Sequence, residues 1–251
     1  MNTKELEQTL VLIKPDALKN SLTGYVLSLL SEFHTKLRFA AAKIVQVSKM
    51  LAEEHYLEHH GKPFYPSLIE YIQGCSHYPK PEDAWKRRVV AIVYHGPNAV
   101  QTVRDFCGPT NPQVARMEKP GCIRALGTLT PILDEAGNEV EKRMDNLIHA
   151  SAKPVEAERE VKLWFKPNDM PPLMRAYPTR LSQDHYYFKG GQLYKSYEPG
   201  SICLLAPGDV AWQSDLDALE LLYQGKPSVG CSVEAVAAKY LINEDGGRAA
   251  V

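Results

Sequence analysis

Thr9-Leu10-Val11-Leu12-Ile13-Lys14-Pro15-Asp16 is the stretch from which the fold is read. Its apolar, β-branched run has no polar alternation and stops at a proline, which describes a short strand buried on both faces. Asp145-Asn146-Leu147-Ile148-His149-Ala150-Ser151 has the same character on a smaller scale, with an apolar pair leading into one histidine. A histidine at the end of a buried strand, near carboxylates, can serve as a nucleophile or general base. The arginines Arg104 and Arg124 lie between these two strands.

Between them the periodicity changes repeatedly. Leu22, Val26, Leu29, Leu30 and Phe33 recur at helical spacing, predicting a helix over 22–33. Residues 39–47 read as a second strand. Ser48 is an N-cap candidate for a helix over 49–59, with Glu53 and Glu54 in its early turns. A short helix is expected over 66–73, a strand over 89–94, and a helix capped by Asn98 that runs to 106. Prolines 109, 112 and 120 mark 108–124 as loop. The last strand covers 147–149, and Pro154 suits the first turn of a helix reaching 163. Strands alternate with helices, yet helix pairs separate some strands, which suits an α/β sandwich of split βαβ type.

Composition narrows the classes. The 251 residues can bury one good core and a second small one. With Lys+Arg 29 against Asp+Glu 30, the net charge of -1 gives no global field for nucleic acid, so any phosphate must be held by a local basic cluster. No apolar run approaches the roughly 20 residues that span a bilayer. The polar start, residues 1–8, lacks the apolar core of a signal peptide. Cys75, Cys107, Cys122, Cys203 and Cys231 are scattered without a CxxC pair, which points to a reducing compartment and a cytoplasmic location. The adjacent His59 and His60 diverge on any regular element, so they do not make a metal site, and none is expected.

Seven segments occur in the order of the nucleoside diphosphate kinase family: Leu12-Ile13-Lys14-Pro15-Asp16, Glu54-His55-Tyr56, Lys62-Pro63-Phe64-Tyr65, Val90-Ala91-Ile92-Val93, Gly108-Pro109-Thr110-Asn111-Pro112, Lys119-Pro120-Gly121-Cys122-Ile123-Arg124 and Asn146-Leu147-Ile148-His149-Ala150-Ser151. The chain resembles that family over about residues 8–165. The resemblance implies a ferredoxin-like core of four antiparallel strands covered by helices. It also implies transfer of the γ-phosphate of a nucleoside triphosphate to a nucleoside diphosphate through phosphorylated His149. Glu160 and Ser151 would orient the ring, and Tyr56 would stand near the phosphates. Lys14, Arg104, Arg124 and Thr110 would hold the phosphates, Asn146 the sugar, and Phe64 with Leu68 the base. Mg²⁺ would come mainly on the nucleotide's own phosphates and waters. Family members assemble as homo-oligomers, so the same is expected here, with no membrane and no specific nucleic acid as partner.

Physical chemistry agrees with these roles. Imidazole is the side chain whose free titration lies closest to neutrality. A guanidinium fork can hold two phosphate oxygens at once, and every base offers a face on which an aromatic ring can stack.

The departures from the family pattern are local. Where the family has an acid after the serine, this chain has Ala152-Lys153, which would slow turnover or shift metal dependence. Two stretches, about 75–88 and 126–144, are longer than usual and are expected to be surface elaborations. The second reads as a hairpin of 128–133 and 139–143 around Asp134-Glu135-Ala136-Gly137-Asn138. The expected organisation is a kinase-like domain at 1–165 and a C-terminal extension at 166–251 of unknown role. In the extension, a Tyr-rich hairpin is expected around Gly190-Gly191, with short helices at 214–223 and 232–242 capped by Ser214 and Ser232. The competing expectation is a non-catalytic nucleotide-binding or scaffolding protein of the same fold, which would be free to lose the histidine or its carboxylate. A histidine-phosphorelay protein suits the strand-rich layout poorly.

Overall fold

The computed structural model describes residues 6–133, 136–228 and 230–243. Its centre is a four-stranded sheet in the order β2-β3-β1-β6, formed by β1 (Leu6–Ile13), β2 (Arg38–Val45), β3 (Val89–Pro97) and β6 (Ile148–Ala150). Every neighbouring pair is antiparallel, which is the ferredoxin-like arrangement. Residues 1–5 of the polar start and the turn residues Asp134 and Glu135 lie outside the described residues.

Strand β1 explains the two layers. Successive side chains point to opposite faces, so Leu10 and Leu12 enter one apolar cluster while Val11 and Ile13 enter the other. The first cluster is closed by α4 (Lys49–His55), α5 (Tyr65–Gln73) and α8 (Pro154–Trp164) through Leu51, Ile69, Val161 and Trp164. The second is closed by α2 (Thr23–Leu29) and α6 (Ala99–Cys107) through Val26 and Val103.

Several local expectations are corrected. The helix expected over 22–33 is broken into α2 and α3 (Glu32–Thr35), because Ser31 accepts from His34 N and starts a new turn. A further short helix, α1 (Pro15–Lys19), follows β1 directly. Ser48 caps α4 as expected, its hydroxyl accepting from Leu51 N, but α4 ends at His55 and a 3-10 turn at Leu57–His59 replaces the last helical turn. Asn98 is not a side-chain cap; it adopts φ 52°, a left-handed corner between β3 and α6. The expected loop over 108–124 contains α7 (Pro112–Glu118), because Pro112 occupies the helix's first position and Asn111 Oδ1 accepts from Gln113 N.

The added hairpin exists as β4 (Thr128–Leu133) and β5 (Glu139–Asp145). Beyond α8, the extension forms small strands β7 (Thr179–Leu181), β8 (Tyr186–Lys189), β9 (Gln192–Tyr194), β10 (Ile202–Leu205) and β11 (Val210–Trp212), then α9 (Gln213–Tyr223) and α10 (Val233–Tyr240). β8 and β9 make the hairpin at Gly190-Gly191, whose φ angles of 55° and 79° suit a tight turn of glycines. Ser232 caps α10, its hydroxyl accepting from Ala235 N, whereas α9 starts ahead of Ser214 with Trp212 at the cap position. The extension has an apolar cluster of its own around Tyr186, Leu205, Leu219 and Val236. It also completes the first core cluster with Trp212 and Ala238. Trp212 Nε1 donates to Phe165 O at 2.8 Å, and Asn243 bonds the backbone of Ile44 and Gln46 beside β2.

Candidate active site

The pairing of β6 with β1 sets the direction of His149. It lies opposite Leu12, and directly opposed residues share a face of the sheet. The ring therefore points into the layer of α4 and α8 rather than towards α2 and α6. Along α8, Ala157, Glu160, Val161 and Trp164 are buried at helical spacing, so Glu160 takes a core position. A carboxylate there requires partners, and it has two. His149 Nε2 lies 3.0 Å from Glu160 Oε2, and Ser151 Oγ donates to the same oxygen at 2.6 Å. Ser151 is fully buried beneath the ring, and its hydroxyl also accepts from Leu10 N at 3.1 Å. Burial by itself pushes the Glu160 carboxyl up, but the charge and hydrogen bond of His149, with help from His55 and Ser151, hold it at about 2. The acceptor is therefore anionic and pairs with Nε2, so Nδ1 is the ring nitrogen it leaves unpaired.

A kink before β6 builds the opposite wall. Leu147 has φ 69°, a left-handed conformation that is strained for a branched residue. Asp16 holds it by accepting from Leu147 N at 2.9 Å, and Lys14 N donates to Leu147 O at 2.9 Å. The kink turns Asn146 towards Lys14, whose Nζ donates to Asn146 Oδ1 at 2.7 Å, while Asn146 Nδ2 donates to Thr110 O at 3.0 Å. Burial, assisted by the Arg124 charge and opposed by Asp16, lowers the Lys14 ammonium to about 8.

Arg124 is almost fully buried, donating to Gly108 O at 2.9 Å and Ile148 O at 3.3 Å, with its Nε unpartnered. Gly108 makes that geometry accessible: φ is 77°, and a Cβ there would meet Cys122 Sγ at 2.2 Å.

These groups line one cavity of about 410 Å³. Lys14, Tyr56, Phe64, Leu68, Arg104, Thr110, Arg124, Asn146, His149 and Glu160 all face it, and Ser151 supports it from below. Lys14, Arg104 and Arg124 line the same cavity as His149, and Phe64, 38% exposed, offers it an open aromatic face. Tyr56 is buried with its ring 6.4 Å from that of His149, and burial pushes its hydroxyl well above the ordinary range, so it remains a neutral donor.

The sequence reading missed several participants. Asp16 stood inside a quoted segment without a role, although an acid in the first turn after a helix-starting proline was the available signal. His55 lies against His149 with ring centroids 4.4 Å apart. Together with His149 and Glu160 it forms a trio whose ligand atoms lie within 4.8 Å of one another. Trp164 Nε1 donates to His55 Nδ1 at 3.2 Å. Indole is a donor only, so His55 Nε2 carries hydrogen and has no lone pair for a metal. Burial and the neighbouring His149 keep His55 well below its ordinary value, hence neutral. Lys142, Arg143 and Met144 at the end of β5 also line the cavity, which corrects the expectation that this hairpin is only a surface elaboration.

Comparison with known proteins agrees with the geometry. The model of the family described as nucleoside diphosphate kinase matches residues 7–170. The nucleoside diphosphate kinase of Pyrococcus horikoshii is 37% identical over 187 residues, covering 74% of this chain and 98% of the relative. That of Thermococcus kodakarensis is 33% identical over 205 residues, covering 81% of this chain and 99% of the relative. Among solved structures, a transition-state mimic of the Borrelia burgdorferi enzyme with bound vanadate and ADP superposes with a TM-score of 0.51 at 30% identity. It covers 66% of this chain and 91% of that one.

Proposed function

The chain belongs to the nucleoside diphosphate kinase family, and from that premise we propose that it moves a γ-phosphate between nucleotides through His149. It is a phosphotransferase that takes the phosphoryl group from a nucleoside triphosphate and gives it to a nucleoside diphosphate. One observation carries the proposed route: His149 Nε2 is 3.0 Å from the ionised Glu160 carboxylate, at the floor of a cleft that also presents Lys14, Arg104 and Arg124.

In the first half-reaction, Nδ1 of His149 attacks the γ-phosphorus. The N–P bond forms as the bond from phosphorus to the β-γ bridging oxygen breaks, and the nucleoside diphosphate leaves with that electron pair. The ring becomes cationic as the bond forms, and Glu160 stabilises it through Nε2–H. Lys14, Arg104 and Arg124 neutralise the charge spread over the transferring oxygens, while Tyr56 and Thr110 supply neutral hydroxyls. An acceptor diphosphate then takes the phosphoryl group by the reverse of these steps. Phe64 stacks the base, Leu68 lines its slot, and Asn146 contacts the sugar, a set that tolerates different bases.

Magnesium enters as part of the nucleotide substrate. Among the described residues the cavity's carboxylates are Glu58 and Glu160, and Glu160 is committed to His149 and Ser151. That donor set suits an ion carried on the phosphates better than one held by the protein. No helix of the described residues is long and apolar enough to cross a membrane. The five free cysteines support a reducing, cytoplasmic setting, and membership of the family supports a homo-oligomer. The intact set of Lys14, Arg104, Arg124, His149 and Glu160 in one cavity argues against a binding-only descendant.

The test is direct. Incubation with γ-labelled ATP and Mg²⁺ should place acid-labile, base-stable label on the protein, and GDP should remove it. His149→Ala should abolish both steps while leaving nucleotide binding nearly intact. Transfer at the normal rate by that variant would refute the route.

A further inference from the structure

A second cavity, of about 710 Å³, lies outside the nucleotide site. Residues of α4 and α8 wall it on one side, and residues of α9, α10 and the loop between them wall it on the other. The two cavities have no lining residue in common. Helix α8 divides them. Glu160 turns to His149, while Glu158, Arg159 and Lys162 turn to the second cavity. A space of this size suits a whole small molecule rather than a single water.

Three cations line this cavity, and the protein uses only part of their hydrogen-bonding capacity. Lys239, 2% exposed, donates to Asp215, which leaves two ammonium hydrogens without an acceptor among the described residues. Arg159 gives two of its five N–H hydrogens to the carbonyls of Glu54 and His55, and no carboxylate pairs with it among the described residues. Lys162 donates to Glu158 Oε1 at 2.5 Å and to Ser214 Oγ at 3.1 Å. The acids on the wall are engaged: Asp215 by Lys239, Glu158 by Lys162, and Glu54 by Ser232 Oγ at 2.9 Å. Burial, with the nearby Asp215, pushes the Cys231 thiol up to about 11, so it adds no charge. Donors are thus in excess over acceptors, and buried donors call for an acceptor-rich, anionic group.

The remainder of the wall is apolar and includes Leu57, Val155, Leu163 and Leu222. Leu57 and Val155 are 58% and 81% exposed, so they offer open surface to the body of a ligand. A planar guanidinium matches a planar carboxylate. We propose that this cavity binds a small amphipathic carboxylate, with its head on Lys239, Arg159 and Lys162 and its apolar body against Leu57, Val155, Leu163 and Leu222. The C-terminal extension then shares with the kinase core a ligand site that is separate from phosphoryl transfer.

Calorimetric titration of the full chain with octanoate, below its micellar concentration, tests this. Binding should saturate with a Kd of about 1 mM or tighter, and it should persist when ADP is present in excess. Octylammonium has the same apolar body and the opposite charge, and it should bind at least about tenfold more weakly. Acetate, the head alone, should not saturate at about tenfold the octanoate concentration. Lys239→Met combined with Asp215→Leu removes both buried charges at similar volume, an exchange that buried ion pairs tolerate. It should weaken octanoate by about tenfold or more. Lys162→Met, at a partly exposed position on α8, should weaken it by about threefold or more, and it decides the matter if the double variant does not fold. No saturable octanoate binding, equal affinity for octylammonium, displacement of octanoate by ADP, or native affinity in a folded variant would each overturn the site.

Discussion

Glu160→Gln separates the charge of the carboxylate from its shape. The native group is 5% exposed and takes hydrogen bonds from His149 at 3.0 Å and Ser151 at 2.6 Å. Its titration lies at about 2 against an ordinary 4.5. That lowering corresponds to about 3 kcal/mol in favour of the ionised form, at 1.36 kcal/mol for each pH unit. Glutamine keeps an acceptor for one of the two donors but loses the charge that, in the proposed route, meets the cationic ring in the transition state. A hydrogen bond to a charged partner is worth about 1.5–3 kcal/mol, so phosphorylation of His149 should slow by about 10- to 150-fold. Rapid-quench labelling with saturating γ-labelled ATP in a single turnover measures this step alone. A rate within about threefold of the native protein would show that the carboxylate charge does not act on the ring. Stability supplies a second readout. A carboxyl with a depressed folded value stabilises the fold above its unfolded value, and that contribution is lost as pH falls from about 4.5 through about 2. Urea denaturation of Glu160→Gln should lack this part of the acid slope.

Lys14 gives a slope of the same sign at alkaline pH, although its shift costs stability at neutral pH where that of Glu160 adds it. Its folded value of about 8 lies below the ordinary 10.5, so between them the unfolded chain holds a proton that the folded chain has released, and the nucleotide-free protein should become more stable as pH rises through that window. Phosphate binding needs the ammonium, so ADP affinity measured by calorimetry should fall above about pH 8 by up to tenfold per unit, and a flat profile to pH 9.5 would contradict the role. Arg104→Ala should lower kcat by about 10²-fold. Phe64→Ala should instead weaken nucleotide binding by about 1–3 kcal/mol, and steady-state kinetics showing the two effects exchanged would put base and phosphate at the wrong ends of the cleft. Trp212→Ala should destabilise the whole chain by about 3–5 kcal/mol and lower Tm by about 10 °C, because the indole is fully buried against the kinase core; an unchanged melt would mean that the extension folds independently.

The contrast between what was legible in the sequence and what was not follows the range of the interactions. The β1 run and the α8 spacing are local patterns, and together they account for the meeting of His149 and Glu160 once β6 pairs with β1. Prolines misled where their position mattered more than their presence: Pro112 begins α7 rather than breaking it. Asn98 looked like a cap because its residue type suits one, yet the same type also tolerates the left-handed corner that it occupies. The β4–β5 hairpin was legible as a hairpin, but its place in the cleft depends on Asp145 meeting His77, 68 residues away, and no local period records that. His55 shows the same limit in the site itself. Its neutral, Nε2-protonated state comes from burial and from the indole of Trp164 on a different helix.

The C-terminal extension extends this reasoning to the whole molecule. Its aromatic and aliphatic content announced a folded segment, but not the surface on which it packs. That surface is the layer holding the site: Trp212 binds Phe165 O next to Trp164, and Ser232 Oγ donates to Glu54 Oε1 at 2.9 Å. Arg159, beside Glu160 on α8, donates to the backbone carbonyls of Glu54 and His55 at 3.0 Å and 3.1 Å. The extension thus braces α4 and α8 from outside, the two helices that fix the ring partners of His149. Loss of this bracing should therefore disturb His55 and Glu160 first, since Lys14, Arg104 and Arg124, the proposed phosphate clamp, sit on other elements.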